Sequence, residues 1–271
     1  MEMGAFLNAS MNISSAMPEI TGNTFRDSLI VALSGKCSLS RLALRGGNGG
    51  RGAAIRVETG ATLVLDTVVL RENIAPFSGG GIFVSTSSAA TVTNSLFLQN
   101  MAAMTHVGYS RGGAVCNEGN LVVSDSTFLS NTASNTVSQA AGGALFNVGL
   151  AQVERSVFLN NKALGGMVGE GGAVATYRNG SQLELSHCVV SNNSATISGG
   201  AVFAQSALTM RHCKVEFNEA AVGAALRTTP ETPEPLLVNV SMGSNVALME
   251  HAQVDGIQEF LRPDNFRNGP W

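Results

Sequence analysis

The chain is poor in charge and in long apolar runs. Only 13% of its 271 residues are Asp, Glu, Lys or Arg, and the formal net charge is −3, whereas about a quarter of an average domain is charged. So little positive charge gives no electrostatic basis for holding a polyanion, and we expect no nucleic-acid partner. No apolar run approaches the roughly 18 residues that a transmembrane helix needs, so we expect no membrane-spanning helix.

Cysteine is also scarce, and four cysteines at irregular spacing do not make a disulfide framework. Gly47, Gly49 and Gly52 have the spacing of a dinucleotide-binding loop, but strand-like residues follow where such a loop needs a helix. We therefore expect no cofactor. The first twenty residues lack the basic start and the continuous apolar segment of a signal peptide, and we expect none there.

Glycine, in contrast, is abundant, and part of it belongs to a repeat. The motif Gly-small-small-aliphatic begins at Gly52, Gly79, Gly112, Gly142, Gly171, Gly199 and Gly223. An asparagine follows each copy after 19 to 22 residues, and these are Asn73, Asn100, Asn131, Asn161, Asn193, Asn218 and Asn245. A period of this size at nearly fixed offsets indicates one structural unit stacked on itself.

Apolar and polar residues alternate ahead of each asparagine, as in LVVSDSTFLSN at 121–131, which is the pattern of a half-buried strand. The position three before the asparagine is always apolar and should face inward: Leu70, Phe97, Phe128, Phe158, Val190 and Val215. The position five before the asparagine lies on the same face of the strand and should also point inward: Val68, Ser95, Ser126, Ser156, Cys188 and Cys213. The position six before should face outward: Thr67, Asn94, Asp125, Arg155, His187 and His212.

These patterns predict an all-β parallel β-helix, or solenoid, of about seven coils stacked about 4.8 Å apart. Like side chains should then form ladders, and we place Asn73, Asn100, Asn131, Asn161, Asn193, Asn218, Phe97, Phe128 and Phe158 in them. The predicted organisation is an irregular cap or first coil at 1–45, β-helix repeats at 46–245 and a tail or cap at 246–271. A short helix is predicted around 254–261.

The copies of GGAV and GGAL alternate with FLQN at 97–100, FLSN at 128–131 and FLNN at 158–161. In these motifs the chain resembles the polymorphic outer-membrane protein repeat family across residues 52–245. The resemblance implies a right-handed, single-stranded parallel β-helix of the surface-exposed or secreted kind, often with an adhesive role. Our leading hypothesis is accordingly a non-enzymatic extracellular or cell-surface scaffold.

Three consecutive units carry long segments between the asparagine and the next glycine, at 101–111, 132–141 and 162–170, whereas the flanking segments at 74–78 and 194–198 are short. Insertions on one face of a solenoid often mark its binding face. We therefore predict a raised edge of loops that binds a protein or a glycan, with the candidate residues Met101, Met104, His106, Tyr109 and Arg111.

Two other functions remain open. A carbohydrate-active β-helix enzyme would need clustered carboxylates, often with Ca²⁺, but no acidic pair recurs at matched positions. Asp125 beside Arg155 indicates a surface ion pair instead. The third hypothesis is a purely structural segment of a larger repeat protein.

The dipeptides His187-Cys188 and His212-Cys213 occupy the same position in neighbouring units. Adjacent residues of a strand face opposite sides, so the histidines should point out and the cysteines in, and we expect no mixed metal site. The cysteines either continue the buried serine column as thiols or, in an extracellular protein, form a disulfide.

Overall fold

The structure is a computed structural model, and it describes residues 17–22 and 27–248. All regular secondary structure in these ranges is β-strand. Every strand pairing is parallel. The predicted helix around 254–261 lies outside the described residues.

The strands form four sheets. Sheet I has eight strands: Ile30–Ala32, Ile55–Val57, Ile82–Val84, Val115–Asn117, Leu145–Asn147, Val174–Thr176, Val202–Ala204 and Leu226–Thr228. Sheet III has seven: Ile74–Ala75, Met101–Met104, Thr132–Asn135, Lys162–Gly165, Ser194–Ala195, Glu219–Ala220 and Val246–Ala247. Sheet IV has three: Tyr109–Arg111, Gln139–Ala141 and Val168–Glu170.

Sheet II has fifteen strands and divides into two limbs at the long strand Ala61–Arg71. Ahead of that strand lie Glu19–Thr21 and Gly35–Arg45. The first limb continues with Ala89–Thr93, Asn120–Ser124, Leu150–Glu154, Gln182–Ser186, Ala207–Arg211 and Leu236–Val238. The second limb continues with Leu96–Leu98, Thr127–Leu129, Val157–Leu159, Val189–Ser191, Lys214–Glu216 and Ser241–Gly243.

Each coil runs from sheet I through the two limbs of sheet II to sheet III, and back to sheet I. Equivalent residues of successive coils pair directly, for example Phe97 with Phe128 and Phe128 with Phe158. The predicted parallel β-solenoid is thus confirmed. It makes about eight turns, because Ile30–Ala32 adds a strand to sheet I ahead of the first glycine motif.

Three corners of each coil are built from residues in the left-handed backbone region. The first glycine of each motif has φ between 58° and 65°. The polar residue six positions before the ladder asparagine has φ between 44° and 56°, and the residue directly before the asparagine has φ between 53° and 57°. In the five motifs that begin Gly-Gly, the second glycine is needed for space, because a Cβ at Gly143, for example, would lie 2.1 Å from the carbonyl oxygen of Gly172.

The interior is a column of stacked apolar side chains. The rings of Phe97, Phe128 and Phe158 stack with centroids 4.6 Å apart and are fully buried. Beside them the asparagines form a hydrogen-bonded ladder: each side-chain amide donates to the amide oxygen of the next asparagine, at 2.8–3.0 Å from Asn73 to Asn245.

The serine and cysteine column also lies inside. The hydroxyl of Ser126 accepts a hydrogen bond from the backbone N–H of Ser95 at 3.1 Å. Cys188 and Cys213 continue this column as buried free thiols, and each donates to a backbone carbonyl two residues earlier, at 3.3 Å. The sequence allowed either free thiols or a disulfide at these two positions, and the structure has free thiols.

Candidate binding groove

The three long segments are paired strands rather than loose loops, which corrects the sequence-based expectation. Each contributes one strand to sheet III, makes a turn, and contributes a second strand to sheet IV. Tyr109 pairs with Gln139, and Gln139 pairs with Val168. Because the segments are of similar length in successive coils, the backbone polar groups of one can pair with those of the next. We call residues 101–111, 132–141 and 162–170 the ridge.

The ridge carries the predicted binding residues in different environments. Tyr109 is 52% exposed, His106 is exposed, and Met101 and Arg111 are half-buried. Met104 is only 5% exposed and packs beneath the turn, where a Cβ added at Gly108 would lie 2.5 Å from its sulfur. Met104 therefore supports the turn and does not present its side chain to a ligand.

A groove runs between sheet IV and the outward face of sheet I. It encloses about 510 Å³ and spans several coils, with Thr86 near one end and Gln205 near the other. Its lining includes Tyr109, Arg111, Glu118, Gln139, Tyr177 and Arg178. Of these residues, the sequence predicts only Tyr109 and Arg111 as binding residues.

The floor of the groove is an aromatic cluster in which Phe146 and Phe203 are almost fully buried, at 3% and 4% exposed. Tyr177 lies between Phe146 and Phe203, with ring centroids 5.3 Å and 5.2 Å away. The guanidinium carbon of Arg111 lies 4.5 Å from the ring centroid of Tyr109 and 5.0 Å from that of Phe146. A guanidinium over two aromatic faces is held by cation–π attraction, so Arg111 joins the ridge to the floor.

A hydrogen-bonded cluster closes one side of the groove. The hydroxyl of Tyr177 donates to the carboxylate of Glu170, and the side-chain amide of Gln139 donates to the same carboxylate at 3.0 Å. Burial, and then the negative charge of Glu170, raise the pKa of Tyr177 far above its ordinary value. The phenol consequently remains a hydrogen-bond donor.

Cys116 lies under the same floor but is no nucleophile. Burial and the nearby charge of Glu118 raise the pKa of the Cys116 thiol to about 12. A thiol attacks as its thiolate, which this environment suppresses at neutral pH.

The opposite corner of the coil carries ion pairs. The guanidinium of Arg155 donates to both carboxylate oxygens of Asp125, at 2.8 Å and 3.0 Å, and also contacts Glu154. The hydrogen bond from Arg155 lowers the pKa of Asp125 below its ordinary value. Asp125 and Arg155 form the surface ion pair expected from the sequence. Within residues 17–22 and 27–248, no group of three or more His, Cys, Asp or Glu side chains is placed to hold a metal.

A chain of stacked, in-register parallel coils with this cross-section defines a parallel β-helix. Residues 4–229 match the family model described as the right-handed β-helix region, and the chain belongs to that family. The match assigns the right-handed winding that the motif resemblance implied. Neither a curated protein nor a solved structure matches this chain. In the part of the chain that the structure describes, no helix has the length and apolar character needed to cross a membrane.

Proposed function

We propose that this β-helix is a non-enzymatic binding scaffold and that its groove takes a glycan chain. The observation that carries the proposal is the exposed ring of Tyr109 beside Arg111 and Gln139 in one groove, above a floor of packed aromatic rings. Ligand sites typically combine apolar and aromatic walls with a few polar groups that fix orientation. Sugar rings offer both surfaces, an apolar face for Tyr109 and hydroxyls for Arg111 and Gln139.

The direction of the groove favours a chain over a single sugar. The lining residues come from several successive coils, so the groove follows the long axis of the β-helix. An extended oligosaccharide lying along that axis would meet equivalent positions coil after coil. Arg111 is held in place by two rings before any ligand arrives, which lowers the entropic cost of binding.

The experiment compares two arginines, one in the groove and one at the far corner of the coil, on a glycan array and by titration calorimetry. Arg111→Ala removes the groove's stacked guanidinium, and we expect the affinity for the captured glycan to fall about tenfold or more, as at a binding hot spot. Arg155→Ala is the matched control on the far corner and should bind like the wild type. Equal losses in both variants would contradict the groove assignment.

The proposed location is the cell surface or the extracellular space. It is supported by the GGAV and FxxN motifs, which resemble those of polymorphic outer-membrane protein repeats. Protease treatment of intact native cells tests it. We expect the protein to be digested or recovered in the medium, and protection from protease until the cells are lysed would reject this location.

One observation favours a carbohydrate-active enzyme as a second candidate. Glu118 lines the groove, and Glu170 lies at the hydrogen-bonded cluster on its side. Paired carboxylates are the usual groups for cleaving glycosidic bonds. If product accumulates from a bound oligosaccharide, and Glu118→Gln or Glu170→Gln stops this without loss of binding, the enzyme is the correct assignment. Binding without turnover supports the scaffold.

A further inference from the structure

Two histidines stack on the outer corner of the β-helix, on the side away from the groove. His187 and His212 lie in adjacent coils at the same corner position, with φ of 53° and 51°. The backbone N–H of His187 donates to the carbonyl oxygen of Arg211 at 2.9 Å, and that of His212 donates to the carbonyl oxygen of Val238 at 2.8 Å. Both acceptors belong to the following coil, so the pairing of the coils fixes both backbones. Their rings are exposed, with centroids 4.9 Å apart and planes 19° from parallel.

We propose that His187 and His212 together bind one transition-metal ion of the Zn²⁺ or Cu²⁺ class. Imidazole nitrogens suit these ions, with metal–nitrogen distances of about 2.0–2.1 Å. Two such bonds at about 90–110° place the nitrogens about 3.0–3.4 Å apart. The stacked rings, with centroids 4.9 Å apart, direct their in-plane lone pairs side by side. Both exposed side chains must therefore turn toward each other to bring one nitrogen of each to this separation. Water or an external ligand completes the coordination.

The next coil supplies a positioning residue. The side-chain amide nitrogen of Asn239 lies 3.4 Å from Nδ1 of His212. As placed, this amide N–H donates to Nδ1, so Nε2 of His212 carries the ring proton. For a metal to bind Nε2, the proton moves to Nδ1 and the amide turns so that its oxygen accepts from Nδ1–H. A partner on the second ring nitrogen is the usual way in which metal-ligating histidines are oriented.

The cations around the pair each have a carboxylate partner: Arg211 lies 3.8 Å from Glu184, and Lys214 lies 2.8 Å from Glu216. Arg155 occupies the same corner one coil before His187, but its guanidinium is bound to Asp125 on its other side and to Glu154. Its positive charge is therefore compensated by two carboxylates. The neighbouring cysteines, Cys188 and Cys213, point into the core and are not shared with this site.

The chain offers a matched substitution. Asn94 and Asn239 occupy the same corner position in other coils, with φ of 49° and 51°, so asparagine fits the backbone there. In Zn²⁺ titration calorimetry, we expect His187→Asn and His212→Asn each to weaken Zn²⁺ binding by about tenfold or more. Losing only a residue that hydrogen-bonds to a metal ligand already lowers metal affinity about 10–100-fold. The double variant should lose the site.

His106→Asn, on the ridge, is the control and should bind Zn²⁺ like the wild type. Zn²⁺ should raise the thermal midpoint of the wild type but not of the double variant, because the ion joins two coils. Cu²⁺ bound to the wild type should show coupling to two imidazole nitrogens in its electron paramagnetic resonance spectrum. No binding by the wild type, or unchanged affinity in the double variant, would overturn the proposal.

Asn239→Ala tests the positioning role separately. We expect it to weaken Zn²⁺ binding about tenfold, with a small fall in the thermal midpoint of the metal-free protein, because alanine fits φ 51° less well than asparagine. If the affinity does not change, Asn239 does not orient His212. The metal site itself is then judged on the histidine variants alone.

Discussion

Replacing Asn131 with alanine should remove four buried hydrogen bonds at once. Its amide nitrogen donates to Asn161 Oδ1 and to the carbonyl oxygen of Phe97, both at 3.0 Å. Its amide oxygen accepts from the backbone N–H and from the side-chain amide of Asn100, again both at 3.0 Å. Asn131 is fully buried, so no water replaces these partners.

The expected cost follows from this count. A buried hydrogen bond contributes about 1 kcal/mol net, so four lost bonds should lower the free energy of unfolding by about 4 kcal/mol. That is a large share of the 5–15 kcal/mol typical of a domain. Urea unfolding followed by circular dichroism measures the change, and the slope of the transition shows whether the coils still unfold together.

Asn245→Ala is the matched control at the last described position of the ladder. Asn245 is half-buried and makes three side-chain hydrogen bonds, two to Asn218 and one to Val215. Water can replace part of them, and we expect a loss of about 1 kcal/mol. If Asn131→Ala costs no more than Asn245→Ala, the asparagine ladder does not stabilise the stack as we reason.

Three further predictions concern single residues. Phe128→Ala should lower the free energy of unfolding in urea by about 3–5 kcal/mol, because the ring is fully buried between two stacked phenylalanines; resistance to proteolysis equal to the wild type would contradict this. Phe217 is 53% exposed at φ 56°, where the preceding coils have Asn160 and Asn192, so Phe217→Asn should raise the midpoint of urea unfolding by relieving about 1 kcal/mol of backbone strain. The raised pKa of Tyr177 means that its contribution to stability is present below the ordinary phenol pKa and is lost above about pH 10, where the unfolded chain ionises and the folded chain does not. Tyr177→Phe should therefore flatten the alkaline fall of the free energy of unfolding, and an unchanged fall would refute the assignment.

The repeated part of the fold could be predicted from the sequence because its constraints recur. Phe128 has equivalents at the same offset in every unit, and each motif begins with a glycine where the backbone turns left-handed. The outward position of His187 was predicted by strand parity, but the structure gives a further reason. The residue lies at a left-handed corner, between two strands that meet at an angle.

The ridge and the groove could not be predicted in the same way. The segment at 101–111 shows no clear alternation, and its strands form because the neighbouring coils carry segments that pair with it. Gln139 lies 31 residues before Glu170 and 38 before Tyr177, so no local spacing relates it to either of them. One signal was available: Phe83, Phe146 and Phe203 directly follow the inward aliphatic residue of sheet I and so mark an apolar outer face.

The central claim is that the inserted segments stack in register and so form one wall of the groove. Disulfide trapping tests it directly. Tyr109 and Gln139 are paired in adjacent parallel strands, about 4.8 Å apart, within the range that a disulfide spans, whereas Tyr109 and Val168 are two strands apart. Under mild oxidation, mass spectrometry should find a cross-link in the double variant Tyr109→Cys/Gln139→Cys and none in Tyr109→Cys/Val168→Cys. Equal cross-linking of both pairs, or of neither, would show that the ridge is not an ordered wall. The proposed groove would then be wrong as well.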